Sequence, residues 1–342
     1  MFQPIYHISP RLLDTIKRVT VLVHELNKWQ LSEPQLAALR SEALVTSTYA
    51  STSIEGNPLS LTEVRRILKS RPAHIRQSER EVLNYNAVLE ELYRNPQQPF
   101  TTDLILTIHR GVVHELLPAH QTGRWRLEPV VVHEPRSGGI VYLPPDHDVV
   151  PQLMTELVTF IEQGRTELDP LLLAGIFHKQ FVVIHPFVDG NGRTARLATN
   201  VLLASLGVNL FPLLSFENYY NQNVTRYFKM VGVFGDYYAL APDVEFTPWL
   251  EYFADGILDE LRRLADQLER QEQQRNPSTI IAAHHQQILA YIDQHGFITD
   301  KAYAGLTDRA KATRSLDFRK LIEMGLIERL GVGRSTYYRR VK

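Results

Sequence analysis

Apolar residues recur three and four positions apart along most of this chain, a spacing that predicts helices. Leu12, Leu13, Ile16, Val19, Val23 and Leu26 keep that spacing over Ser9 to Trp29. Leu36 to Ile54 is rich in alanine, serine and threonine, so it reads as a thin helix able to pack closely. Ser60-Leu61-Thr62-Glu63 reads as a capping box opening a helix to about Lys69. Glu79 to Tyr93 and Thr101 to His114 follow, the former closed by Asn95-Pro96. Leu171 to Ile184 and Leu197 to Leu206 are almost wholly apolar, which predicts two buried helices. Phe216 to Val233 and Phe246 to Leu268 extend the helical pattern.

The pattern changes twice. Val130-Val131-Val132 and Ile140-Val141-Tyr142 flank Glu134 to Gly139, whose Ser-Gly-Gly reads as a turn, and together they predict a β-hairpin. Later, Gln271 to Arg275 is polar and Asn276-Pro277-Ser278 breaks the helix, which marks a boundary. Three helical patterns follow, Ile280 to His295, Asp300 to Leu306 and Arg309 to Met324. Leu326 to Leu330 and Thr336 to Arg340 read as two strands around Gly331 to Arg334. The expected fold class is mainly α, in three parts: a helical region over 1–95, a helical domain over 96–270 and a small module over 279–342.

Composition narrows the classes. The chain has 342 residues, 44% hydrophobic and 22% charged, which is ordinary for globular domains. A net charge of −1 gives the whole chain no general attraction to nucleic acid or membrane. The absence of cysteine excludes a disulfide scaffold and thiolate zinc sites. No apolar run approaches the roughly 18 residues of a membrane helix, and Met1 to Pro10 has no basic segment leading an apolar one. The expected location is the cytoplasm, with no membrane partner.

The chemistry is concentrated between the two apolar runs, in His185-Pro186-Phe187-Val188-Asp189-Gly190-Asn191-Gly192-Arg193-Thr194-Ala195-Arg196. Pro186 drives His185 out of the α region, so the first helix should end there. The next helix should start near Arg193 and stop at Gly207. Gly190 and Gly192 allow close backbone approach to a ligand. The N-terminal N–H groups of the second helix favour an anion. Arg193 and Arg196, three apart, share a helix face and suit phosphate oxygens. Asp189 is a hard oxygen ligand suited to Mg²⁺ held jointly with phosphates. His185 titrates near neutrality, as a general base should. Together these groups suggest transfer of a phosphate-containing group.

This run resembles the Fic motif, HxFx(D/E)GNGRxxR, at every defined position. The resemblance implies a Fic-fold helical bundle that transfers AMP from ATP to a protein hydroxyl and releases pyrophosphate. It implies His185 as base, Asp189 as the Mg²⁺ ligand and Gly190, Asn191 and Gly192 as the anion hole. Arg193 and Arg196 would hold the β- and γ-phosphates. Ser51-Thr52-Ser53-Ile54-Glu55-Gly56 resembles the inhibitory motif (S/T)xxxE(G/N) of such proteins, which gives Ser51 and Glu55 an inhibitory role. Glu55 would pair with Arg196. Gln180, five residues before His185, and Asn223 and Tyr227 on Phe216 to Val233 are implied nucleotide contacts.

The hairpin within 130–142 is similar to the Fic flap, which docks an extended segment of the target by strand pairing. Gly123-Arg124-Trp125-Arg126 and Pro144-Pro145 also resemble flap surroundings. Asp146-His147-Asp148 reads as solvated loop, since three adjacent residues cannot easily ligate one ion. His109 and His114, five apart, read as packing or surface histidines.

The C-terminal module resembles a winged helix. Residues 279–342 hold 11 Lys+Arg and 6 Asp+Glu, +5 against −6 for the remainder. The excess falls on Arg309, Lys311, Arg314, Arg319, Lys320 and the hairpin, where DNA phosphates would be met within 309–340. The leading expectation is an auto-inhibited protein adenylyltransferase, with a homodimer by analogy. Two alternatives stay open: removal of AMP from a modified protein at the same site, and a DNA-binding regulator whose Fic domain senses nucleotide. Phosphate transfer is disfavoured because Gly190 and Gly192 are intact.

Overall fold

The computed structural model describes residues 2–29, 31–133, 138–208, 210–275 and 283–341. Positions 134–137 of the hairpin turn, Asn276-Pro277-Ser278 and the helix start read at Ile280 lie outside the described residues. The chain forms two compact units, Met1–Ala265 and Asp266–Lys342.

The first unit is a helical bundle with a small sheet. It opens with α1 (Pro10–Leu26), α2 (Glu33–Ile54), α3 (Leu61–Lys69), α4 (Gln77–Arg94) and α5 (Thr102–Val112). Strands β1 (Val132–His133) and β2 (Ile140–Leu143) follow. Then come α6 (Val150–Gly164), α7 (Pro170–Ile184) and α8 (Asn191–Ser205). Next are α9 (Phe216–Asn221), α10 (Val224–Val231), β3 (Gly235–Asp236), α11 (Tyr237–Leu240) and α12 (Thr247–Arg275), within which the division between units falls.

Local chemistry accounts for the boundaries. Ser9 Oγ accepts from Leu12 N–H at 3.1 Å and Pro10 occupies the first turn, so α1 starts there. Ser60 and Glu63 form the expected capping box of α3. Asp169 Oδ1 accepts from Leu171 N–H at 2.8 Å with Pro170 behind it, which opens α7. Helix α2 buries Ala43, Ser47, Thr48, Ala50, Ser51 and Thr52, and its small side chains let it pack on α4 and α9. Helices α7 and α8 are the apolar pair at the centre, with nearly every residue buried. Each large aliphatic or aromatic side chain so buried contributes roughly 1.5–3 kcal/mol of transfer free energy.

Three features differ from the sequence reading. Helix α6 was not anticipated, although its buried Val150, Met154, Leu157 and Ile161 keep helical spacing. The helix read over Phe216 to Val233 is broken, because Asn223 leaves helical geometry and caps α10, its Oδ1 accepting from Arg226 N–H at 3.0 Å. The hairpin is short: β1 pairs antiparallel with β2, and β2 also pairs in parallel with β3. Tyr142 is the buried residue of β2, and its hydroxyl donates to Val183 O at 2.8 Å, which anchors the strand to the end of α7.

The second unit contains α13 (Ala283–His295), α14 (Asp300–Ala304), α15 (Lys311–Glu323) and an antiparallel hairpin of β4 (Ile327–Leu330) and β5 (Tyr337–Arg340). Ile298 adds one bridge to Tyr338 of β5. Ile288, Ile292, Ile298, Tyr303, Phe318, Leu321 and Ile327 form its core. Among the described residues no helix is long and apolar enough to cross a membrane.

Candidate active site

The loop between α7 and α8 carries the site. His185 caps α7 with φ 50°, a left-handed conformation uncommon for a non-glycine residue, which ends the helix ahead of Pro186. Its Nδ1 lies 3.4 Å from Val182 O. A carbonyl only accepts, so Nδ1 bears the proton in this contact and Nε2 is left as the basic nitrogen. Burial pushes the His185 imidazolium down to about 4, so the ring is neutral near pH 7.

The loop is braced on all sides. Asn191 Nδ2 donates to Phe187 O at 2.8 Å, and Asn191 Oδ1 accepts from Phe187 N–H at 2.9 Å. Phe187 is fully buried, with the His109 ring stacked on it at 3.6 Å and Trp125 at 5.2 Å. Gly123 N–H donates to His109 Nδ1 at 3.0 Å, so His109 must be the Nε2–H tautomer, which donates to Asp189 O at 3.0 Å. Arg126, 2% exposed, donates through Nε to His185 O at 2.9 Å and through Nη2 to Pro145 O, while its N–H reaches Pro186 O at 3.0 Å.

The anion-binding features converge at the start of α8. Gly190 has φ 78° and caps the helix, where an added Cβ would strike Val113. The first N–H groups of α8 have no intrahelical acceptor. Asn191 therefore offers its backbone to the hole while its side chain closes the loop. Asp189 Oδ1 accepts from Gly190 N–H at 2.6 Å, and Oδ2 pairs with Arg193 Nη2 at 3.2 Å. The Asp189 side chain is 56% exposed and the Arg193 side chain 5% exposed. Arg193 Nε and Nη1 are buried with no partner among the described residues. Unpaired guanidinium donors in such a place call for an anion.

Arg196 is fully buried and fully engaged. Nε donates to Ser51 Oγ at 2.7 Å, and Nη2 donates to Ser51 O at 2.9 Å and to Glu55 Oε1 at 2.8 Å. Burial works against its charge, but the Glu55 carboxylate outweighs that and the guanidinium is held more firmly protonated than usual. Nη1 reaches Tyr227 Oη at 3.4 Å. Thr199 Oγ1 donates to Ala195 O, so it accepts from His178 Nδ1–H, and His178 Nε2 then accepts the Tyr227 hydroxyl proton. One directed chain thus runs from Arg196 through Tyr227, His178 and Thr199 into α8.

Three residues read as nucleotide contacts are buried or already hydrogen-bonded within the protein. Tyr227, expected at the nucleotide, is 1% exposed and has its hydroxyl taken by His178 and Arg196. Asn223 spends its carbonyl oxygen on capping α10. Gln180 is buried on α7. Sequence reasoning missed Arg126 and His109 as braces, since neither lies in the loop they hold. The acids beside Asp146-His147-Asp148 behave as surface groups, with Asp146 Oδ2 accepting from Tyr238 Oη at 2.9 Å.

Residues 99–203 match the model of the Fic/DOC family. The chain carries a Fic domain. It is 30% identical over 234 residues to "Protein adenylyltransferase Fic" of Aedes aegypti, covering 66% of this chain and 43% of that protein. It is 30% identical over 215 residues to "Protein adenylyltransferase fic-1" of Caenorhabditis elegans, covering 60% and 41%. The chain thus spans less than half the length of these curated relatives. The crystal structure of a Fic family protein from Desulfovibrio desulfuricans G20 shares the fold, with TM-score 0.65 and 21% identity over 99% of this chain and 98% of that one. A C. elegans Fic-1 structure aligns with TM-score 0.58 and 25% identity, over 76% of this chain and 73% of that one.

Proposed function

We propose that this chain is an auto-inhibited protein adenylyltransferase, which moves AMP from ATP to a Ser, Thr or Tyr hydroxyl of a target protein or of itself. The observation that carries the reading is Arg193, a buried guanidinium with unpartnered donors beside the free N–H groups of α8. Triphosphate is the anion that suits two arginines, a helix N-terminus and glycines in one place.

In this reading the N–H groups of Asn191 and Gly192 hold phosphate oxygens, Gly190 shapes the anion hole around them, and Arg193 and Arg196 take the β- and γ-phosphates. The exposed, hard carboxylate of Asp189 fits Mg²⁺, which would neutralise phosphate charge. His185 Nε2 takes the proton of the acceptor hydroxyl. The hydroxyl oxygen bonds to the α-phosphorus as the bond to the bridging oxygen breaks, and pyrophosphate leaves with that electron pair. Gln180 would line the nucleotide side, whereas Tyr227 acts by holding Arg196. The flap over 130–142, with Val131 and Ile140 exposed, would dock the target segment.

Glu55 supplies the inhibition. It occupies an Arg196 donor, and a Cβ on Gly192 would collide with its Oε1, so its carboxylate fills the space beside the anion hole. In domain terms, 1–95 supplies the inhibitory region, 96–270 the catalytic domain and 279–342 a separate module.

The DNA-regulator reading loses support from the C-terminal ion pairs. Arg309 pairs with Asp317, Arg314 with Asp300, Arg339 with Glu328 and Arg340 with Asp293. Each of these four arginines thus faces an acid of its own unit, although the net charge of 279–342 stays +5. The deciding experiment supplies ATP labelled on either the α- or the γ-phosphate. Label from the α-position alone should reach protein. Transfer from the γ-position would replace the proposal with phosphate transfer, and removal of AMP from a premodified protein with no α-label uptake would replace it with the reverse chemistry.

A further inference from the structure

The second unit brings three donor groups to one point. His284 and His285 lie in the first turn of α13, and Asp317 lies on α15. His284 Nε2 is 3.3 Å from Asp317 Oδ1, and His285 Nε2 is 3.6 Å from the same oxygen. Adjacent helix positions ordinarily point apart, yet these two rings pack with centroids 4.2 Å apart. Two donors on one tetrahedral zinc ion, at bonds of about 2.0–2.1 Å, stand roughly 3.4 Å from each other.

An independent sign comes from His285. It is 2% exposed, and among the described residues neither ring nitrogen has a hydrogen-bond partner. Buried polar atoms left unpaired are destabilising unless something satisfies them.

We propose that His284, His285 and Asp317 bind a divalent transition-metal cation of the zinc class. Two imidazoles and one carboxylate favour such an ion over Mg²⁺ or Ca²⁺. Outer partners fix the carboxylate: Asp317 Oδ2 accepts from Tyr303 Oη at 2.9 Å and faces Arg309 Nε at 2.9 Å. Arg309 Nη2 also donates to Oδ1 at 3.2 Å, so the cation shares that oxygen with a guanidinium. Burial keeps His285 neutral, the form a ligand needs. The His284 side chain is 26% exposed, so solvent reaches a fourth position. Bound metal would pin the first turn of α13 to α15 across the core of this unit.

The test uses the full chain, stripped with chelator and titrated with ZnCl₂ or MgCl₂ by equilibrium dialysis and thermal unfolding. Wild type, His284→Gln, His285→Gln and Asp189→Asn are compared; the last removes the carboxylate assigned to Mg²⁺ in the Fic loop. Wild type and Asp189→Asn should each retain one zinc with a raised melting temperature. His284→Gln, a change at the surface that leaves the core intact, should lose roughly tenfold or more in zinc affinity. Mg²⁺ should not substitute. Equal zinc retention by wild type and His284→Gln overturns the site. So does a wild type whose melting temperature does not respond to zinc.

Discussion

Arg196 Nη2 donates to Glu55 Oε1 at 2.8 Å, joining residues 141 positions apart near the start of α8. The pair is inside the protein on the arginine side, with Arg196 at 0% and Glu55 at 30% side-chain exposure. Removing Glu55 leaves Arg196 held by Ser51 and Tyr227, so the guanidinium stays aimed while one donor becomes available. Arg196→Ala should therefore lower transfer even in a Glu55→Gly background, because the freed donor is what the substrate gains. Equal initial rates for the single and double variants would remove Arg196 from the reaction.

His185→Ala should lower AMP transfer by roughly 10²–10⁴-fold, the usual contribution of a positioned general base. The melting temperature should stay near that of wild type, since the imidazole makes one long contact to Val182 O. Single-turnover rates at saturating ATP measure it. A variant as fast as wild type would assign proton removal elsewhere.

Arg126 acts on the loop rather than on substrate. Its buried guanidinium bonds to carbonyls of His185, Glu128 and Pro145, and hydrogen bonds to a charged donor are each worth about 1.5–3 kcal/mol. Losing the equivalent of even one of these bonds in Arg126→Ala should lower the melting temperature by about 3–12 °C, taking about 2–4 °C per kcal/mol for a unit of this size. Transfer should fall as well. Arg126→Lys should recover part of the stability and less of the rate, because one ammonium cannot reach three carbonyls from a fixed plane. Unchanged calorimetric melting in Arg126→Ala would contradict the brace.

Burial holds His109 and His185 down to about 4 against an ordinary 6.5. Between those values these two imidazoles bind more protons in the unfolded chain than in the folded one. Their contribution to stability is therefore present above pH 6.5 and is lost on acidification toward pH 4. Urea midpoints measured over this range should fall with pH. His109→Phe keeps the ring stacked on Phe187 and removes one of these protons, so its midpoint should vary less with pH. Its transfer rate should still drop, because Asp189 O loses its donor. A pH profile identical to wild type would show that His109 does not titrate in this range.

The reactive loop was legible because its chemistry is consecutive: twelve residues between two apolar runs specify a cap, an anion hole and two arginines. Glu55 was legible only through the resemblance of its own local motif. What the chain did not reveal were contacts that exist only after folding. His109 and Arg126 brace a loop 59 or more residues away. Tyr227 sits in an aromatic stretch that suits either core or ligand, and only the folded chain shows its hydroxyl between His178 and Arg196. Helix α6 had the right spacing at Val150, Met154, Leu157 and Ile161 and was passed over. The basic surplus of the C-terminal unit was counted correctly, but charge counting cannot show that Asp293 and Asp300 lie within reach of Arg340 and Arg314.

The central claim is restraint of AMP transfer by Glu55. The direct measurement is protein labelling from α-labelled ATP by wild type, Glu55→Gly and His185→Ala at equal concentration. Displacing reacting groups by about 1 Å can cost roughly a hundredfold, so Glu55→Gly should label on the order of a hundredfold faster than wild type, and His185→Ala should not label detectably. Wild type and Glu55→Gly labelling at the same rate would contradict auto-inhibition through the Glu55–Arg196 pair.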